Sequence, residues 1–189
     1  MCSANRFLCL VFLFFALYAN GQNSAPEFET GIAIAGSEAF YLGGYSKYRA
    51  PISEGKNYFS FSIGLTYYFD FRGESYEKSY LKKDVDMRLI PNVFIAYDVN
   101  LKDFNFAIEV PIGASIAIAR GTLVNERVGF ERDYKNVDFL PHFGIGLSAR
   151  YRLNASNKIG LYGFMDILKD DAWSPPMTGI GWTRVLEVD

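Results

Sequence analysis

Asn57-Tyr-Phe-Ser-Phe-Ser-Ile-Gly-Leu-Thr-Tyr-Tyr-Phe-Asp-Phe71 is the stretch whose reading decides the fold. Its odd positions, Phe59, Phe61, Ile63, Leu65, Tyr67, Phe69 and Phe71, are all bulky and apolar. The even ones between them are Ser60, Ser62, Gly64, Thr66, Tyr68 and Asp70, mostly small or polar. A period of two means a β-strand, because successive side chains leave opposite faces. Strands of soluble sheets usually run to about 5–6 residues. A tilted strand that crosses a bilayer needs about 9–11, with aromatic residues near both ends. One such stretch would suit a β-sandwich equally well, so the rest of the chain decides.

The pattern recurs. Phe28, Thr30, Ile32 and Ile34 alternate with Glu29, Gly31, Ala33 and Ala35. Residues 39–48 read as a second strand whose period is blurred by Gly43-Gly44. A fourth runs from Met87 to Val99, with Pro91 accommodated by a bulge, because proline cannot donate to a ladder. Strands over Phe104–Ile118, Phe139–Leu153, Ile159–Ile167 and about Thr178–Val188 complete a set of about eight. Short turns at 51–56, 100–103 and 154–157 separate them on one side, and charged loops at 72–85, 120–136 and 169–176 on the other, the middle of the second (Leu123-Val124, Val128-Gly-Phe130) offering an extension of its flanking hairpin. Short turns opposite long loops is the asymmetry of an outer-membrane barrel. The expected fold is therefore all-β: a closed antiparallel up-and-down transmembrane β-barrel. An even strand number puts both termini on the short-turn, periplasmic side.

The N-terminus gives an address. After Arg6, the run Phe7 to Leu17 is unbroken and apolar, and Ala19-Asn20-Gly21 fits the small-x-small rule for signal-peptidase cleavage. The run is too short to span a bilayer. Residues 1–21 thus read as a removed signal peptide and 22–189 as a single barrel domain. Cys2 and Cys9 both fall in the leader, so the mature chain has no disulfide, thiolate metal site or cysteine nucleophile. Cys9 lies inside the apolar run rather than after it, which excludes lipidation there. The formal net charge of −2 lacks the basic footprint of a nucleic-acid binder.

The two faces separate soluble from membrane barrels. A soluble barrel turns its charged face outward and its apolar residues inward. Here one face of each strand is apolar with aromatics near its ends, which suits lipid. The other is rich in Gly, Ala and Ser with scattered charges, which suits a narrow eight-stranded interior.

With its signal peptide, about eight alternating strands and the Leu89-Ile90-Pro91 segment, the chain resembles the small bacterial outer-membrane β-barrel proteins of the OmpX-like and OmpA-barrel-like group. The resemblance covers nearly the whole mature chain and implies a Gram-negative cell-envelope protein. It implies roles in envelope integrity, adhesion or partner binding through the loops, with outer-membrane lipid and the barrel-assembly machinery as partners. The family commonly ends in an aromatic residue, whereas this chain ends Leu186-Glu-Val-Asp189.

No catalytic, cofactor-binding or metal-binding residue is assigned. Arg88, Glu109, His142, Arg150, Arg152 and Asp166 fall on inner faces, where they are expected to pair with one another, since lone buried charges are costly. A lipid-modifying enzyme is the competing reading, built on a serine beside the single histidine, His142. Ser148 lies roughly 20 Å along the same strand; Ser115 and Ser60 depend on register. A secreted soluble β-barrel or sandwich binding protein is the third.

Overall fold

The computed structural model describes residues 25–36, 40–53, 55–69, 81–125, 128–167 and 176–186. The leader 1–21 and its cleavage point, most of the segments 72–85 and 169–176, and the chain end at 187–189 lie outside the described residues.

Eight strands follow one another: β1 (Glu27–Gly36), β2 (Phe40–Pro51), β3 (Asn57–Phe69), β4 (Leu81–Leu101), β5 (Phe104–Asn125), β6 (Phe130–Arg152), β7 (Asn157–Asp166) and β8 (Met177–Val185). Each pairs with the next, and β1 pairs antiparallel with β8, so the sheet closes into an up-and-down barrel. Closure lets strands satisfy one another's backbone groups, as a sheet in hydrocarbon must. The period-two reading holds throughout. In β3, Tyr58, Ser60, Ser62, Thr66 and Tyr68 are buried while Phe59, Ile63, Leu65 and Tyr67 are exposed. Among the described residues, the apolar faces assigned from the sequence point outward.

Several details differ from expectation. The hairpin extension through Leu123-Val124 and Val128-Gly-Phe130 takes in most of 120–136, which is not a loop: β5 and β6 stay paired from Asn125↔Phe130 inward, and Gly129 just beyond the ladder adopts φ 61. Charged residues on an exposed strand face look like a solvated loop when read one by one. β4 likewise begins at Leu81. The β3 ladder ends at Phe69↔Met87 and the β7 ladder at Gly144↔Asp166, so β4, β5 and β6 run on past them as a projecting three-stranded sheet.

Pro91 needs no bulge. The β4–β5 ladder omits residues 90 and 91 and resumes in the same register at Asn92↔Gly113, while Pro91 stays aligned with Leu65 on β3. Gly113 makes this fit possible, because a Cβ there would collide with the Pro91 carbonyl. The irregularity lies instead between Lys83 and Val85.

β2 is a regular strand despite Gly43-Gly44. The Tyr67 hydroxyl lies 2.6 Å from where a Cβ on Gly44 would be, so this glycine makes room for an aromatic ring. The last strand ends at Val185 rather than Val188, and the Leu186 amide donates to the Pro26 carbonyl at 2.8 Å. Trp182 and Arg184 do share the outward face.

Candidate functional site: the lumen and the outer surface

Charge is concentrated inside the barrel, on the half nearer the short turns. Among the described residues, four cations (Lys47, Arg49, Arg150, Lys158) meet four carboxylates (Glu27, Glu29, Asp98, Glu109). Asp98 lies between two guanidinium groups, 2.6 Å from Arg49 and 2.6 Å from Arg150. Glu109 takes Lys47 at 2.9 Å and is also bonded by Arg49. Arg150 continues to Glu27 at 3.3 Å, and Lys158 reaches Glu27 at 2.5 Å. Hydroxyls fill in: Ser60 donates to Asp98 at 2.5 Å, Ser148 to Glu109 at 3.3 Å, and Tyr45 to Glu29 at 2.9 Å. Arg49, Asp98, Glu109 and Arg150 are at most 1 % exposed. The balance of signs makes this possible, because breaking a buried pair leaves an uncompensated charge.

Aromatic side chains pack next to this network. Tyr45 and Tyr162 lie 5.4 Å apart, and the Lys47 ammonium sits 4.8 Å from the Tyr162 ring and 5.1 Å from that of Phe94. Tyr41, Tyr68, Ile90, Phe164 and Met177 extend the cluster. The interior is therefore less small-residued than expected. Glycines on neighbouring strands reconcile ring size with barrel width: Tyr45 lies over Gly31, Gly179 and Gly181, Phe94 beside Gly64, and Arg150 over Gly160. The glycines read from the sequence as a small-residue lining are seats for large side chains.

The inner-face residues picked out in the sequence divide. Glu109 and Arg150 belong to the network. Arg88 stands apart from it, its guanidinium 5.0 Å from the Tyr41 ring and 3.4 Å from the Tyr41 hydroxyl. Arg152 is exposed at the end of β6. The Asp166 side chain lies outside the described residues. Glu27, Glu29, Lys47, Arg49, Asp98 and Lys158 were not picked out. Parity already placed Glu29 and Asp98 inward. Glu27, Arg49 and Lys158 each sit just beyond an end assigned to their strand, and strand ends are where pattern reading is weakest.

His142 faces inward, its ring 4.8 Å from that of Phe164. Ser60 and Ser148 donate to carboxylates of the network, Asp98 and Glu109. Ser115 is buried opposite Leu140, two places along β5 from Gly113, the residue paired with His142. Replacing His142 with Ala is expected to remove a ring contact, costing about 1–3 kcal/mol, and to leave a folded barrel. Urea unfolding in detergent would read the loss. Failure of the variant to fold at all would make His142 structurally indispensable.

Outside, the arrangement is inverted. Ile32, Phe59, Ile63, Ile95, Ile108, Leu147, Leu161, Ile180 and Trp182 are all exposed. Aromatics cluster at the short-turn end, with Phe59–Tyr97 and Phe104–Tyr151 ring pairs at 5.0 Å each. From Phe106 to Ile118 the outward face of β5 covers about 40 Å of strand, hence about 30 Å of height at a tilt of about 40°, with Phe104 in the aromatic cluster below it. That matches the hydrocarbon thickness of a bilayer.

A closed eight-stranded barrel with an ionic interior and an apolar belt is the architecture of the small outer-membrane barrels, and this chain has that fold. No protein-family model matches the chain, and no curated protein matches it by sequence. Solved structures do. The crystal structure of Ail, the attachment invasion locus protein of Yersinia pestis, is similar at TM-score 0.54 and 11 % identity, covering 86 % of this chain and 99 % of Ail. Ail in complex with the heparin analogue sucrose octasulfate is similar at 0.52 and 12 %, over 86 % of this chain and 99 % of Ail. The outer membrane protein Ail in a phospholipid bilayer nanodisc gives 0.51 and 13 %, over 87 % of this chain and 100 % of Ail.

Proposed function

We propose that this chain is a non-enzymatic integral outer-membrane protein, inserted as residues 22–189 after loss of the signal peptide 1–21, with both termini periplasmic. Its lumen is closed by the ionic network and the aromatic cluster. Its role is structural or adhesive, with the projecting β4–β6 sheet and the segments 72–85, 120–136 and 169–176 presented to a protein or surface ligand. The barrel-assembly machinery and outer-membrane lipid are its other partners. The observation that carries this reading is the inversion: charges buried at the centre, Ile, Leu and aromatic side chains exposed around the waist. In water that arrangement would leave far more contiguous apolar surface than soluble monomers carry. The likeness to Ail supports an outer-membrane address, and the heparin analogue held by Ail is a precedent for ligand binding on this fold.

On an SDS gel, membrane-extracted protein should migrate differently boiled and unboiled, because a closed barrel resists SDS until heated. Reconstituted in planar bilayers, it should show no steady conductance. A protein that is soluble without detergent and shows no shift would return the aromatic faces to a soluble core. A steady ion current would mean that the lumen is open.

A further inference from the structure

On the outward face of the projecting sheet, the β5–β6 ladder reads in cross-strand pairs: Ile116↔Phe139, Ile118↔Val137, Arg120↔Lys135, Thr122↔Asp133 and Val124↔Glu131. The first two pairs are apolar and continue the belt. The third sets two cations directly opposite each other. Residues so paired have Cβ atoms about 4.5–5.5 Å apart, where like charges repel. Both side chains are exposed, and among the described residues neither Arg120 nor Lys135 has an ion-pair partner. Asp133 and Glu131 share the face but lie one and two steps farther out, so they are not placed between the cations. In backbone register Val85 of β4 is the residue on the other side of Arg120.

Height gives the pair its meaning. Two residues past Ile118 is about 7 Å of strand, or about 5 Å of barrel height at a tilt of about 40°. With the apolar belt in hydrocarbon, Arg120 and Lys135 lie in the headgroup layer of the same leaflet. Two adjacent cations, just above an apolar pair and facing lipid, are arranged to take an anion that arrives from the membrane side. We propose that Arg120 and Lys135 form a binding site for the phosphate of a phosphorylated lipid headgroup, whose acyl chains lie along Ile118, Val137, Ile116 and Phe139. A guanidinium and an ammonium suit this ligand, the first by paired hydrogen bonds and the second as a point charge. The anion removes the repulsion that the bare pair carries, so lipid binding and the pairing of the projecting hairpin support each other. The proposal rests on the membrane reading above.

The test uses the full mature chain in phosphatidylcholine nanodiscs carrying a minor fraction of bisphosphorylated lipid A, or the same lipid A stripped of its phosphates. Native mass spectrometry after release counts retained lipid for the wild type, Arg120→Gln/Lys135→Gln and the control Arg184→Gln, an exposed cation at the opposite end. At about a factor of five per cation near an anionic surface, the wild type should favour the phosphorylated form about thirty-fold. The double variant should lose that preference, and Arg184→Gln should keep it. Equal preference in wild type and double variant overturns the site. So does binding of heparin to the same two residues in lipid-free micelles, with no preference for lipid phosphate, since the site would then serve a sulfated glycan. Heat-modifiability on the same samples separates the two levels of the argument. A barrel that inserts without lipid preference overturns only this site, whereas one that never inserts removes the membrane reading and the site with it.

Discussion

Replacing Glu109 with Gln is expected to destabilise the barrel by about 3–5 kcal/mol, the cost of leaving buried charge without its counter-ion. Glu109 is fully buried and takes both Lys47 and Arg49; its neutralisation leaves Lys47 with Glu29 at 3.5 Å and Arg49 with Asp98, so the four buried cations face only three carboxylates. Reversible urea unfolding in detergent micelles would measure the change. Glu131→Gln, on the exposed hairpin, serves as the reference and should stay within about 0.5 kcal/mol of wild type. Adding Lys47→Met to Glu109→Gln should recover part of the loss, since groups in one network couple by about 0.5–3 kcal/mol. A Glu109→Gln midpoint indistinguishable from wild type would mean that water in the lumen, not Glu109, compensates the cations.

Gly181→Ala should have the second large effect. A Cβ at this position would sit on the Tyr45 hydroxyl, and the same ring already lies within 2.6 Å of where a Gly31 Cβ would be and within 3.2 Å of one at Gly179. With glycines on both flanking faces the ring has little room to move away. Overpacking costs about 1–3 kcal/mol, and displacing the hydroxyl also breaks its bond to Glu29, worth about 1.5–3 kcal/mol for a charged acceptor. Tyr45→Phe removes the clashing oxygen while giving up that bond. The double variant Gly181→Ala/Tyr45→Phe should therefore be less destabilised than the sum of the singles, by at least about 1 kcal/mol. Strict additivity in the unfolding cycle would show that the glycine and the ring do not share space.

Much of the architecture was legible because it is local. The alternation from Phe59 to Phe71 marks one strand and its two faces without reference to any neighbour, and the same holds for β1, β4, β5 and β6. The short turns at 100–103 and 154–157 follow from the ends of those runs. Legibility failed where a rule could not tell two solvated conformations apart. Thr122, Asp133 and Lys135 look the same in a loop and on an exposed strand, and only pairing between β5 and β6 makes them a sheet. Gly43-Gly44 looked like an interruption because a sequence does not show that Tyr67 fills the space above Gly44.

The candidate site divides along the same line. Side-chain parity put Glu29, Asp98, Glu109 and Arg150 inside before any fold was known, because a strand assigns faces residue by residue. Their partners could not be read. Arg150 on β6 reaches Glu27 on β1, and Arg49 on β2 reaches both Asp98 on β4 and Glu109 on β5. Those meetings depend on how far each strand slides past the next and on the closure of β1 against β8. The sequence by itself determined the strands and their faces. Only the tertiary structure decided which charges meet across the lumen, which rings rest on which glycines, and that Arg120 and Lys135 stand side by side at the edge of the apolar belt. Faces follow from the geometry of one strand, whereas register and closure belong to all eight at once.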